Sequence, residues 1–329
     1  MAGNMLGFDI GAASVKIVSW NGWEITRAVE APTPDNLVKE GVIVSYDAMA
    51  DFIKETMKAQ KLKGGPCAVV LPSSFSFLRR ITMPAMTVDQ LAVNLPYEFR
   101  DFLTEGKDKY FYDYAVYEIK NDEDGKPKEM ELIAAAVAKS TIDDYRAMFR
   151  RAGLRLATAV PTEGVYSNLI ARMADNASRE YAILDLGHTG TRLDIFTGNR
   201  FETTRMSEIG LVEVDRLIAD GVGVDSHIAR TYKHTNHQGL QESEAAQGVY
   251  AAIATDARKA VNFYGFNNRE SELRDLWCCG GGTKIPALCS AVAEATGLEL
   301  HPIEELFPPM TSDAENPAAF AAAIGAAIQ

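Results

Sequence analysis

The sequence predicts an α/β protein of two lobes that grip one phosphate-bearing ligand between them, and three observations carry that prediction. A short phrase occurs twice, as Leu6-Gly7-Phe8-Asp9-Ile10-Gly11-Ala12-Ala13-Ser14-Val15-Lys16-Ile17-Val18 and as Ala182-Ile183-Leu184-Asp185-Leu186-Gly187-His188-Thr189-Gly190-Thr191-Arg192-Leu193. Each copy is an apolar run, a carboxylate, a glycine turn and a return into apolar residues, which is the pattern of a β-hairpin. Glycine lets a backbone approach a ligand and aim its N–H groups, and the Asp can hold Mg²⁺ through water. One Asp-x-Gly is as well read as an ordinary hairpin corner; two, each heading one half of the chain, favour a clamp. The third observation is Gly280-Gly281-Gly282, placed after the strand-like Leu276-Trp277-Cys278-Cys279 and before a helix. A plain tight turn is the alternative there, but a turn without Cβ atoms can also pass against a flat base or a phosphate.

Length and composition agree with two lobes. At 329 residues the chain is about twice a usual domain, and 47% hydrophobic with 24% charged residues marks a globular protein. No apolar run reaches the roughly 20 residues of a spanning helix, and no secretory signal precedes Leu6, so a cytoplasmic chain is expected. Cys67, Cys278, Cys279 and Cys289 lack zinc spacing and read as buried thiols. A net charge of -12 argues against nucleic acid as a partner, because such proteins display a basic face. It does not argue against a nucleotide, whose phosphates Mg²⁺ and backbone amides neutralise locally.

The elements follow in order. After the first hairpin, Tyr46 to Lys61 is a helix with Met49, Phe52, Ile53 and Met57 along one face, stopped by Gly64-Gly65-Pro66. Strands at Ala68 to Leu71 and Phe77 to Met83 come next, then a helix over Thr87 to Leu103. That helix opens an inserted βαβ-type unit, roughly 85–157, with strands at Tyr110 to Ile119 and Glu131 to Ala138 and a helix over Thr141 to Ala152. A strand and helix over Val160 to Met173 lead to the second hairpin. Residues 211–265 are mostly helical; His234 and His237, three apart, have no third ligand at metal spacing, and Asn236 and Gly239 favour a loop. Asn316 to Ile328 is an Ala-rich helix whose Gly325 permits close packing.

The ordered set of Asp-Ile-Gly hairpin, Pro161-Thr162-Glu163 helix, Asp-Leu-Gly hairpin, Gly280-Gly281-Gly282-Thr283-Lys284-Ile285-Pro286 turn and terminal Ala/Gly helix resembles the actin-like ATPase superfamily. Within it the sequence is similar to the PilM family of type IV pilus assembly, and more distantly to FtsA of cell division. That likeness rests on Met5 to Lys16, on Lys39-Glu40-Gly41-Val42-Ile43, on Ala68 to Ser74 leading to Arg80-Ile81-Thr82-Met83-Pro84, and on Asp256-Ala257-Arg258-Lys259-Ala260-Val261-Asn262-Phe263-Tyr264. The family's Glu and Arg in the last motif are Asp256 and Lys259 here.

The resemblance implies two ribonuclease-H-like lobes around a nucleotide cleft. Subdomain 1A would be 1–84 with 158–180 and 311–329, the inserted 1C-type unit 85–157, subdomain 2A 181–210 with 271–310, and subdomain 2B 211–270. It implies ATP and Mg²⁺ as ligands, with Asp9 and Asp185 holding the metal through water. Gly11, Ala12, Ala13, Gly187, His188 and Thr189 would offer amides to phosphate, and Lys16 its charge. Gly281, Gly282 and Thr283 would line adenosine, Asp256 and Lys259 would reach the ribose or base edge, and Glu163 would orient a hydrolytic water. A carboxylate favoured by the helix dipole is an equally good account of Glu163. The implied partners are the N-terminal tail of a PilN-like bitopic protein and, near it, the pilus assembly platform and motor ATPases. Membrane association would come only through a partner, since the chain stops at Gln329 without an amphipathic anchor. Turnover would be slow at most; an FtsA-like division protein and a small-molecule kinase of the same superfamily are the alternatives.

Overall fold

A computed structural model describes residues 4–39, 41–172 and 179–328. Glu40 of the Lys39 to Ile43 motif and Met173 at the end of an expected helix lie outside the described residues.

Lobe 1 starts as a meander of β1 (Met5–Ile10), β2 (Ser14–Trp20) and β3 (Ile25–Pro32). The short pair β4 (Val38–Lys39) and β5 (Val42–Ile43) leads to α1 (Tyr46–Ala59), which begins where the Ser45 hydroxyl accepts from the Ala48 amide. Next, β6 (Pro66–Leu71) lies parallel to β1. The chain then leaves through β7 (Ser76–Pro84), α2 (Val88–Glu98), β8 (Tyr110–Asn121) and β9 (Pro127–Ala138). It returns through α3 (Lys139–Arg151), β10 (Arg155–Pro161) and α4 (Thr162–Ile170).

Lobe 2 repeats the plan. A meander of β11 (Glu180–Leu186), β12 (Thr191–Thr197) and β13 (Arg200–Ser207) is followed by the helices α5 (Val212–Val222), α6 (Ser226–His234) and α7 (Glu244–Asn267). Then come β14 (Asp275–Cys279), α8 (Pro286–Thr296), β15 (Glu299–Pro302) and the terminal α9 (Ala321–Ala327). The sheet orders are β10-β6-β1-β2-β3 and β15-β14-β11-β12-β13. In both, an antiparallel meander continues into two parallel strands, so the repeated phrase in the sequence marks a repeated fold.

Between the two sheets lie α4 and α9. One core joins Val18, Ile25 and Val70 of lobe 1 to Ile183, Phe196 and Trp277 of lobe 2 around Tyr166, Leu169 and Ile324. Outside it, α1 and α3 cover lobe 1 through Ile53, Met57 and Phe149, and α5 to α8 cover lobe 2 through Val214, Ile253 and Leu288. The middle layer is thin because its backbones touch. A Cβ on Gly7 of β1 would sit 2.1 Å from the Ala323 carbonyl oxygen, and one on Gly325 would sit 2.2 Å from that of Val165.

The inserted unit differs from the expected βαβ element over 85–157. It is an antiparallel sheet, β7-β9-β8, with α2 on one face, its Leu91 and Leu95 and the following Phe99 packed against Ile81 and Leu132 of the sheet. The unit begins at Ser76, because β7 pairs with β9 from Ser76↔Val137 to Pro84↔Glu129. It ends at β9, because Tyr145, Met148 and Phe149 place α3 in the lobe 1 core. Helix α2 stops at Glu98, short of Leu103, after Pro96 has removed one helical donor. The sheet also rests on lobe 2: Arg80 bridges Glu131 of its own sheet and Glu202 of β13, and the Tyr117 hydroxyl accepts from the Phe201 amide at 3.0 Å.

Gly325→Ala drives a methyl group into a backbone carbonyl that no side-chain rotation can move aside. A loss of about 3 kcal/mol in urea unfolding is expected; an unchanged midpoint would show that α4 and α9 are not in backbone contact.

Candidate functional site

The tips of the two hairpins face each other across a cleft of about 260 Å³. Asp9 is the next-to-last residue of β1, and Lys16 lies opposite it on β2, 3.3 Å away. Asp185 holds the same place in β11, and Tyr166 of α4 donates to its Oδ2 at 3.2 Å. Burial, with Asp9 next, holds the Asp185 carboxyl above the usual aspartate value. Burial alone would lower Lys16, but Asp9, Glu30 and Asp185 outweigh it and hold the ammonium above the ordinary lysine value. Three carboxylates around one lysine leave a surplus of negative charge at the floor. That donor set fits Mg²⁺, a hard cation that takes one or two carboxylates and keeps its waters.

Backbone geometry shapes the second turn. A Cβ on Gly187 would meet the Gly190 carbonyl oxygen at 2.6 Å, and one on Gly210 would lie 2.4 Å from the Gly190 nitrogen and the His188 oxygen. Only glycine lets α5 seat against the turn, where Val212 N–H donates to the His188 oxygen at 2.8 Å. Among the described residues, the amides of Ala12, Ala13, His188 and Thr189 find no acceptor within the chain, which leaves them free for a ligand.

Of the residues predicted from sequence, Asp9, Gly11, Ala12, Ala13, Lys16, Asp185, Gly187, His188, Thr189 and Gly281 line this cleft. The Gly11 amide, expected to meet phosphate, instead donates to the Ser14 oxygen at 3.0 Å and closes its own turn. Gly282 is buried against Leu186, and the Thr283 hydroxyl donates to the Gly280 oxygen at 2.8 Å, so neither faces the cleft. Asp256 and Lys259 lie away from it, at a recess between α7 and β13, where Asp256 accepts from the Ser207 hydroxyl at 2.8 Å and from Lys259 at 3.0 Å. Neither side chain lines the cleft between the two turns.

The catalytic expectation for Glu163 also fails on geometry. Its side chain is buried, and Oε1 accepts from Nη2 of Arg192 at 2.7 Å. Arg192 Nε donates to Asp194 Oδ2 at 2.7 Å, and its Nη1 reaches the Ser73 hydroxyl. Glu163 and Ser73 belong to lobe 1, Arg192 and Asp194 to lobe 2. This is a tie between lobes, and Glu163 is not among the residues that line the cleft.

The sequence reading missed several cleft residues. Gly280, with φ +88, brings its backbone to the Asp185 carboxylate, where a Cβ would lie 2.3 Å from Oδ1. Glu30 and Tyr166 face the floor, and α6 contributes Arg230, Lys233 and His234. The only signal for these three was a capped helix with two cations three apart, a pattern that solvated helix faces also show. His237 stacks on Tyr232 with ring centroids 4.1 Å apart, so it and His234 do not form a pair.

The family model for type IV pilus assembly protein PilM matches residues 7–324. The chain belongs to the PilM family. Among curated proteins, none matches by sequence at a significant level. A solved PilM-PilN type IV pilus biogenesis complex is similar at TM-score 0.80 with 22% identity, over 99% of this chain and 98% of that one. The ethanolamine utilization protein EutJ from Carboxydothermus hydrogenoformans is similar at TM-score 0.61 with 13% identity, over 100% and 90%. MreB5 of Spiroplasma citri bound to ADP follows at TM-score 0.55 with 12% identity, over 98% and 95%. The fold of this PilM-family chain is that of the actin-like ATPases, as the resemblance implied. Among the described residues no helix is long and apolar enough to cross a membrane.

Two measurements test the site's electrostatics. Arg192→Met leaves Glu163 and Asp194 buried without their cation, so a loss of about 3–5 kcal/mol in urea unfolding is expected; a near-neutral result would contradict the tie. His188 is pushed down to about 4 by burial, with the Arg230 and Lys233 charges next and Asp215 opposing them. Between pH 6.5 and 4 the unfolded chain then binds a proton that the folded chain refuses. Stability should fall across that window by at most roughly 3 kcal/mol and level off below it. In His188→Gln that part of the pH dependence should disappear when urea midpoints are compared with wild type.

Proposed function

We propose that this chain is an ATP- and Mg²⁺-binding scaffold of a type IV pilus inner-membrane assembly complex, holding the N-terminal cytoplasmic tail of a PilN-like bitopic protein. The observation that carries the ligand is the pair of opposed Asp-Gly turns, with free amides on both and surplus carboxylates between them. In this reading Mg²⁺ sits through water on Asp9 and Asp185, Ala12, Ala13, His188 and Thr189 give amides to the phosphates, and Lys16 adds charge. Gly281 lines the nucleoside end. Turnover is slow or absent, because Glu163, the carboxylate suggested for water activation, is buried, gives Oε1 to Arg192 and does not line the cleft. That same commitment speaks against the small-molecule kinase alternative, which needs a base beside the transferred group.

The tail is assigned to the inserted unit. Eight of its large apolar side chains are exposed, from Phe77 and Val88 to Val116 and Ile119. The sheet face turned away from α2 carries Leu78, Ile133, Ala135 and Phe111, with the Phe111 ring under Lys139 and Arg146 of α3 at 5.5 and 5.3 Å. A short segment between that face and α3 would contact both the unit and lobe 1. Attachment to the inner face of the membrane, near the assembly platform and the motor ATPases, would follow from the partner. The likeness to a solved PilM-PilN complex supports a PilN-like partner.

Mg²⁺-ATP at about a hundred times its Kd should add roughly 2.7 kcal/mol to the folded state, read as a rise in melting temperature. Asp9→Asn and Asp185→Asn should lose most of that rise; absence of any shift or calorimetric signal in wild type would defeat the ligand assignment. For the tail, Phe111→Asp should weaken a fluorescent tail peptide of the cognate PilN-like protein at least tenfold. Unchanged peptide affinity in that folded variant would move the partner surface off this face.

A further inference from the structure

Helix α6 starts at Asp225, whose carboxylate accepts from the amides of His227 and Ile228 at 2.8 and 3.0 Å. That start sets Arg230 and Lys233 three residues apart on one face of the helix, beside Asp215 of α5. Lys233 is 1% exposed and lies 2.6 Å from Asp215 Oδ1, itself buried, so these two charges cancel as a pair. Arg230 is then the extra cation. Its Nε is 3.5 Å from Asp215 Oδ2 and has no hydrogen-bond acceptor, while its Nη2 lies 3.2 Å from His188 Nε2. The imidazole is neutral near pH 7, so it accepts the hydrogen bond without offsetting the charge. The guanidinium lines the cleft at the tip of the second turn, about a quarter exposed.

Lys16 differs, since Asp9, Glu30 and Asp185 already surround it. The cleft is therefore bipolar. Its floor carries surplus carboxylate, and its α6 wall carries an arginine with no dedicated counterion. We infer that Arg230 is the specificity-determining residue that reads the polyphosphate of the bound nucleotide from the helical side of lobe 2. This inference rests on the nucleotide reading above. A phosphate oxygen is a better acceptor than a neutral imidazole, because the bond becomes charge-assisted and the guanidinium fork can meet two oxygens at once. Arg230 thus exchanges His188 for phosphate when ligand enters. Asp215 and His188 act as positioning residues that hold the fork at the turn beforehand. A ligand gains from this exchange only in proportion to its phosphates, so the site ranks nucleoside di- and triphosphates above the monophosphate.

The test is calorimetric titration and displacement with Mg²⁺-ATP, AMP and inorganic tripolyphosphate on the full chain, in wild type, Arg230→Gln, Arg230→Lys and Asp9→Asn. Arg230→Gln should weaken ATP and tripolyphosphate at least tenfold and shrink the ATP-to-AMP affinity ratio, with Arg230→Lys in between. Wild-type affinity for ATP in Arg230→Gln would overturn the inference. So would an equal loss for ATP and AMP, which would put the arginine on the nucleoside. Melting curves establish that each variant folds, and the graded lysine variant separates lost charge from lost structure. Loss of ATP in Asp9→Asn with none in Arg230→Gln would sink the inference and leave the nucleotide reading standing. Arg230-dependent binding of tripolyphosphate in a wild type that ignores ATP would do the reverse.

Discussion

One guanidinium fixes how the two lobes meet. Arg192 stands directly across the β11–β12 ladder from Asp185, so it belongs to the hairpin that forms half of the cleft. Its fork reaches Asp194 on its own strand and Glu163 and Ser73 on the other lobe. Burial holds the Asp194 carboxyl above the usual aspartate value, with Arg192 opposing it. Because the three charges are desolvated, none of them tolerates separation from the others, and the second turn is held in register with lobe 1. The spacing of the two Asp-Gly turns, and with it any ligand that both must touch, depends on this cluster.

The inserted sheet extends the same dependence outward. Ser73 immediately precedes the segment that becomes β7, Arg80 on β7 pairs with Glu202, and Arg200 donates to the Tyr117 oxygen at 3.1 Å. The unit therefore bridges lobes 1 and 2 as Arg192 does. Any change in the angle between lobes must strain or release these contacts, so a partner seated on the sheet and a ligand in the cleft act on one shared geometry.

The features legible in the sequence were those with local causes. Asp9-Ile10-Gly11 and Asp185-Leu186-Gly187 announce turns because glycine and a following apolar return have few other uses, and both turns stand where the phrase put them. Alternating apolar runs placed the strands, and the helical spacing of Met49, Ile53 and Met57 placed α1. What stayed hidden were the pairings. Nothing near Arg192 tells that its partners lie 29 and 119 residues away, so Glu163 looked available when it was committed. Asp256 and Lys259 matched a helical motif, yet the roll of α7 turns them toward Ser207. The pairing of β7 with β9 was hidden too, because a strand such as β7 reads alike whether it joins its own lobe or the next sheet.

The glycine and alanine layer between the sheets has a mechanical meaning. Where Gly7 meets α9 and Gly325 meets α4, main chain comes against main chain, and the Asn168 side-chain amide of α4 donates to the Gly325 oxygen of α9 at 2.9 Å. Such a seam behaves as a keyed joint, because the large side chains of the shared core flank it and sliding must disengage them. The two ionic ties across the lobes differ in kind: Arg192 is buried, whereas Arg80 is partly open to solvent. Added salt should accordingly loosen the outer fastening at Arg80 and leave the inner one at Arg192 nearly untouched.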